Sequence, residues 1–172
     1  SGTGKKVFDP VTKICLKENS QFILESTQLG GVTYTDRKTY ATVGKNAQLL
    51  VKEKILTDGE EKAITDFKVK LTGKNSRADI VSRSVAKGKS LQQFKSDMIG
   101  KNECFGHVEC DGIVLDGARI ISTPKIDAVS PEASLVHEAA VGKIAGEQLL
   151  KLMSLGLTEQ EAEDAVIKGF LN

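Results

Sequence analysis

Tryptophan is absent from this 172-residue chain, and the other aromatic residues are few, six Phe and two Tyr. Flat platforms for stacking sugars or bases are therefore scarce. Neither sign of charge dominates: 24 Lys and Arg stand against 23 Asp and Glu, a formal net charge of +1. That balance lacks the basic stripe that marks a nucleic-acid or acidic-polymer partner. Cysteine is limited to Cys15, Cys104 and Cys110. An odd and scattered set does not read as a disulfide framework, so the expected setting is a reducing cytoplasm with free thiols. No apolar run reaches the roughly 20 residues of a membrane-spanning helix, and no signal-peptide pattern opens the chain. Ser1-Gly2-Thr3-Gly4 reads as a cut linker, so the expectation is a fragment with a truncated amino-terminal side.

What the chain has is a period. Turn-forming clusters recur at Asn19, Gly30-Gly31, Asn46, Asp58-Gly59, Asn75, Lys87-Gly88, Asn102 and Asp116-Gly117. The four asparagines follow one another at steps of 27, 29 and 27 residues, with a weaker Gly or Asp-Gly signal about halfway. Gly and Asn suit such corners because they tolerate positive φ. Between corners lie short alternating stretches such as Ala63-Ile64-Thr65-Asp66-Phe67-Lys68-Val69-Lys70-Leu71, the pattern of half-buried strands. Evenly spaced strands also fit a sandwich or barrel. The fixed long period favours a solenoid, a β-helix whose coils stack parallel sheets.

The tail changes character. We expect a β-helix core over 1–141 and a helical segment over 142–172. Ile144, Leu149, Leu150, Leu152 and Met153 have helical spacing, and Gly156 sits where a C′ glycine ends a helix. Thr158 with Glu161 is a capping box for a second helix through Ala162, Ala165, Val166 and Phe170. The expectation is a helical hairpin that closes one end of the solenoid.

Two places carry chemistry. Cys104-Phe105-Gly106-His107-Val108-Glu109-Cys110 holds two thiols and an imidazole, donors that soft metals and iron–sulfur clusters take. The spacing is not that of a zinc ribbon. On a regular strand Cys104 and Cys110 share a face and His107 points the other way, so two core cysteines and one exposed histidine is the plain alternative. His137-Glu138 interrupts an apolar stretch, where burial demands pairing or ligation. The alternative there is one residue facing solvent and the other hydrogen-bonded. Asp116, Asp127, Glu132 and Glu138 offer carboxylates for the sugar chemistry that β-helices often perform, but nothing in the sequence places two of them together. No phosphate loop, dinucleotide fingerprint or Ser/His/Asp signature is present.

The run Gly106-His107-Val108-Glu109-Cys110-Asp111, then Pro124, then His137-Glu138-Ala139-Ala140-Val141-Gly142-Lys143-Ile144, resembles the SufB/SufD family, and the likeness extends through Gly156-Leu157-Thr158-Glu159 to Ile167-Lys168-Gly169-Phe170. The resemblance implies a right-handed parallel β-helix with a helical carboxy-terminal segment. It implies a non-enzymatic scaffold for iron–sulfur cluster assembly that works with the ATPase SufC and a sulfur donor system, as a homodimer or a SufB–SufD heterodimer. Cys110 resembles the essential cysteine of SufB, Glu138 the glutamate that works with it, and His137 a histidine that SufD places at the same interface. Together they would accept sulfur and hold a transient cluster, with Cys104 and His107 as weaker candidate ligands. No cluster is expected to survive aerobic purification. SufC docking would fall on Glu147, Leu149, Leu150 and Phe170. A SufD-like structural subunit without a cluster, and a β-helix carbohydrate-active protein, are the alternatives.

Overall fold

The computed structural model describes residues 4–172; Ser1–Thr3, read above as linker, lie outside the described residues. Eleven strands precede two helices: β1 (Val7–Phe8), β2 (Val11–Leu16), β3 (Gln21–Leu29), β4 (Tyr34–Val43), β5 (Gln48–Thr57), β6 (Lys62–Leu71), β7 (Ser76–Ala86), β8 (Leu91–Gly100), β9 (Cys104–Val114), β10 (Arg119–Ala128), β11 (Ala133–Gly142), α1 (Gly146–Ser154) and α2 (Glu159–Leu171). From β2 onward, successive strands alternate between two sheets. One sheet runs β1-β4-β6-β8-β10, with β2 also on β4; the other runs β11-β9-β7-β5-β3. Every pairing is parallel. The result is a two-sided β-solenoid of about five coils, as the period foretold.

The corners explain the period. Asn19, Asn46 and Asn75 have φ of 60°, 53° and 57°, the left-handed region that Asn tolerates. Their side chains form a ladder, Asn46 Nδ2 donating to Asn19 Oδ1 at 3.1 Å and Asn75 Nδ2 to Asn46 Oδ1 at 3.2 Å. At the opposite corner Gly59, Gly88 and Asp116 take the same conformation. Asn102 departs from the expectation. The register pairs Asn75's successor Ser76 with Cys104, so Asn102 falls one residue short of the stack. The amide of Asn75 donates to the carbonyl of Glu103 instead, and Asn102 Oδ1 accepts from Glu103 N.

Alternation sends every second side chain into the lumen. On β5, Leu49, Val51, Glu53, Ile55 and Thr57 are buried; on β6, Ala63, Thr65, Phe67, Val69 and Leu71 are. Each fully buried large apolar side chain contributes roughly 1.5–3 kcal/mol. One side of the lumen is apolar, with Leu49, Ile80, Leu71 and Met98. The other is polar, with Glu53, Thr65, Ser82, Ser84 and Gln92.

The tail differs from the expected plug. The capping box at Thr158–Glu161 forms, and Gly156 ends α1 with φ 98°. However, α2 lies on the outer face of the β3–β11 sheet, not across the end of the solenoid. Ile167 and Leu171 are buried against Val85, flanked by Leu56, Ile113 and Phe170. The cause is an apolar outer stripe, Leu56, Val85 and Ile113, that the register brings side by side. The edges of β10 and β11 stay open, each pairing with one neighbour. No helix among the described residues is long and apolar enough to cross a membrane.

Candidate functional site

The register through β9 is continuous with β7 on one side and β11 on the other, so no bulge interrupts it. Cys104, Gly106, Val108 and Cys110 therefore face the lumen, and Phe105, His107 and Glu109 face outward. Gly106 leaves room for its neighbours: a Cβ there would overlap Met98 Sδ and Leu135 Cδ2 unless those side chains shifted. Cys104 and Cys110 share a face but lie six residues apart, about 20 Å along an extended strand. They do not converge. Cys104 sits among apolar groups beside Gly100 and Ala133, and burial pushes its thiol up. Cys15 is exposed on β2, in the other sheet.

Cys110 meets two polar groups. Its sulfur lies 3.0 Å from Ser122 Oγ on β10 and 3.7 Å from His137 Nε2 on β11. Burial pushes the Cys110 thiol up, the Ser122 hydrogen bond pulls it down, and the Asp111 charge raises it further. Burial also lowers the His137 pKa, with the nearby His107 adding to the effect. His137 therefore stands neutral beside the thiol at neutral pH, with a lone pair to receive its proton or to bind a metal.

The sulfur opens onto an interior cavity of about 20 Å³, lined in part by Ser82, Ser122, Gln92 and Glu53, enough room for one water. Glu53 is fully buried. It accepts hydrogen bonds from Thr65 Oγ1 at 3.1 Å and Ser82 Oγ at 3.0 Å, and pairs with Arg37 Nε at 3.6 Å. Burial pushes its carboxyl up, against the pull of Arg37 and the two hydroxyls. Sequence reasoning missed this group. The signal was there: Glu53 shares the inward parity of Leu49, Val51 and Ile55.

Glu138 belongs to the other face. It follows the lumen-facing His137, so alternation turns it outward. Its Oε2 is 3.7 Å from His107 Nε2, and the other ring nitrogen of His107 is 2.8 Å from Asp79 Oδ1 on β7. The Asp79 hydrogen bond raises the His107 pKa most, with Glu138 adding to it. Glu109, paired with Glu138 across the strands, is raised by burial and by Asp111. The structure thus brings Cys110 to His137 and Glu138 to His107, as two pairs on opposite faces of one sheet. Among the described residues no three His, Cys, Asp or Glu side chains converge as a metal-holding group.

The four docking candidates divide as well. Leu150 is 66% exposed on α1, with Glu147 exposed and Leu149 half-buried beside it. Phe170 packs into the α2 contact with Val85.

A family model described as the SufBD core domain of SUF-system iron–sulfur cluster assembly matches residues 5–170. An iron-sulfur cluster assembly SufBD family protein of Methanothermobacter thermautotrophicus is 35% identical over 174 residues, covering 99% of this chain and 40% of the relative. One from Archaeoglobus fulgidus is 35% identical, covering 94% of this chain and 44% of the relative. One from Galdieria sulphuraria is 24% identical, covering 95% of this chain and 77% of the relative. The chain spans about two fifths of the length of the archaeal relatives.

Proposed function

The chain belongs to the SufBD family of iron–sulfur cluster assembly proteins, and on that premise we propose that it is a scaffold that accepts sulfur on Cys110 and builds a nascent cluster there. The observation that carries this reading is the Cys110–His137 pair, a thiol and a neutral imidazole 3.7 Å apart at the open end of the lumen. A thiolate is both the nucleophile for sulfur transfer and the usual cluster ligand.

The chemistry of acceptance balances within the pair. His137 takes the thiol proton. The Cys110 thiolate attacks the outer sulfur of a donor persulfide, a new S–S bond forms, and the donor's S–S bond breaks. The donor leaves as a thiolate and regains the proton from His137. Cys110 then carries a persulfide, and iron arrives as a second substrate. Reduction of the sulfane sulfur to sulfide requires two electrons from an external donor.

The partners follow from the same reading. A SufC-like ATPase would dock on α1 and its C-cap, where Leu150, Met153 and Leu155 are exposed. A second subunit, identical or SufD-like, would supply further ligands, because one chain turns Glu138 away from Cys110. That same separation favours a second reading, a SufD-like structural subunit without a cluster.

Anaerobic reconstitution with iron and sulfide separates the two. The scaffold predicts sulfur-to-iron charge-transfer bands that Cys110→Ser removes. Bands that survive Cys110→Ser, or no bands from the full-length chain with its ATPase present, would refute the scaffold reading.

A further inference from the structure

We infer that the outer face of the sheet formed by β2, β4, β6, β8 and β10 is a docking surface for a protein partner that presents carboxylates around an apolar centre. The inference goes beyond the scaffold reading and does not depend on it.

Coil stacking sorts charges that the sequence holds in balance. Outward positions on these five strands carry eight Lys and Arg against four Asp, whereas those of the β3–β11 sheet carry four Lys and Arg against five Asp and Glu. The register sets Lys13, Tyr40, Lys68, Asp97 and Lys125 side by side in one row across the five strands. Lys95 stands in the row on one side, level with Asp66, and Lys70 in the row on the other, level with Ile99. Strands about 4.8 Å apart keep such neighbours within roughly one Debye length, so their charges add. The chain itself cancels little of this. Lys68 reaches Asp66 only at 4.0 Å and Lys125 reaches Asp97 at 3.7 Å. Among the described residues Lys13, Lys70, Lys95 and Arg119 form no ion pair on this face.

The kind of partner follows from what lies between the lysines. A nucleic-acid backbone would meet Asp36, Asp66, Asp97 and Asp127 on the same face, and each repels phosphate. A protein surface can match such a mosaic charge by charge. Tyr40, Ile64, Ile99 and Ile121 stand half-buried among the lysines, the aromatic and aliphatic contacts that the centre of an interface uses. Strands of about ten residues in a five-stranded face span about 20 Å by 30 Å, roughly 600 Å², near the ~800 Å² that one partner gives to a standard interface. The excess of cations selects an acidic partner and speeds its arrival.

The test follows fluorescence anisotropy of three labelled probes with the full chain: a peptide in which Glu alternates with Leu and Tyr, the same peptide with Gln for Glu, and single-stranded DNA of equal charge. The parent should bind the Glu peptide at least tenfold more tightly than the Gln peptide, and more tightly than the DNA. Its affinity should fall about tenfold or more between about 20 mM and about 200 mM salt. The double variant Lys70→Glu/Lys95→Glu should weaken binding by at least about tenfold, whereas Lys52→Glu/Lys89→Glu, the same change of charge elsewhere, should stay within about twofold. All four side chains are exposed, and circular dichroism checks each fold. Equal loss in the two double variants would overturn the inference, because net charge alone would then be at work. So would no binding of the Glu peptide, or tighter binding of the DNA, which would give the face to a nucleic acid. Cys110→Ser should bind the Glu peptide as the parent does, so failure of the scaffold reading leaves this result untouched.

Discussion

Cys110 and Glu138 stand on opposite faces of one sheet, although the residue next to Glu138, His137, reaches the Cys110 sulfur at 3.7 Å. Removing either residue should therefore have a distinct effect. Cys110→Ser should abolish persulfide loading from a low-molecular-weight persulfide donor, read by mass spectrometry of the intact chain. Glu138→Gln should leave that loading within about twofold. Equal loss in both variants would mean that the two side chains act at one point, against the register of β9 and β11.

Thiol reactivity should rank by environment. Cys15 is exposed, whereas Cys104 and Cys110 are both buried in the lumen's apolar cluster. Iodoacetamide should label Cys15 first, well ahead of the buried Cys104 and Cys110, read by peptide mapping. Because burial raises the Cys110 pKa, its labelling should rise with pH through a midpoint above the roughly 8.5 of a free cysteine. His137→Ala should slow it further at neutral pH, where the imidazole is the nearest acceptor for the proton.

The Asp79–His107 pair should leave a pH signature in stability. The folded-state pKa of His107 is raised, chiefly by Asp79. The fold then holds its proton more tightly than the unfolded chain does. The stabilisation is present in full below the unfolded value of about 6.5 and is lost as pH rises through the folded value. His137 titrates in the opposite sense, its pKa being lowered, so the total stability profile mixes the two. Asp79→Asn isolates His107. The variant should be less stable than the parent by about 1 kcal/mol at pH 6, and the gap should narrow by pH 9, measured by urea unfolding. A gap independent of pH would show that Asp79 acts by packing alone.

Much of this fold is legible in single residues. Asn19, Asn46 and Asn75 mark coils because a corner needs a left-handed residue and Asn tolerates that conformation. Asn102 looks identical in sequence yet lies outside the ladder, since a one-residue change in coil length is set by pairing with β7, not by local preference. The same holds at the site. Cys110, His137 and Glu138 stand out by type, but which of them meet depends on Cys110 pairing with Ala139, a register that needs the whole coil. The lie of α2 escaped for a related reason. Leu56, Val85 and Ile113 are far apart in the chain and form an apolar stripe only once three coils are stacked.

Glu53 should matter more to folding than any other polar residue of the lumen. Glu53→Ala would leave the half-buried Arg37 without its carboxyl partner and the buried Thr65 and Ser82 hydroxyls without their acceptor. Leaving buried hydroxyls unsatisfied costs roughly 1–3 kcal/mol. Glu53→Gln keeps an acceptor and should cost less. Its pH behaviour carries a sign. Burial raises the folded pKa of Glu53, so the folded state holds a proton that the unfolded state releases near pH 4.3, and stability drains away as pH rises from there through the folded value. Glu53→Gln should flatten that slope, which urea unfolding at pH 5 and pH 8 would reveal.

The two ends of the helical hairpin should respond differently to the same charge. Leu150 is 66% exposed on α1, a helix with no buried residue. Leu150→Asp should leave the melting temperature within about 2 °C of the parent, since exposed substitutions seldom exceed ~0.5 kcal/mol. If α1 is where a SufC-like ATPase docks, the same variant should lose capture of that ATPase. Phe170 and Ile167 belong instead to the contact of α2 with Val85. Ile167→Ala should cost about 2–4 kcal/mol by opening a cavity there, and Phe170→Asp should destabilise as well, so loss of capture in that variant would report on folding rather than on docking. Leu150→Asp with full capture and full stability would move the ATPase away from this face of α1.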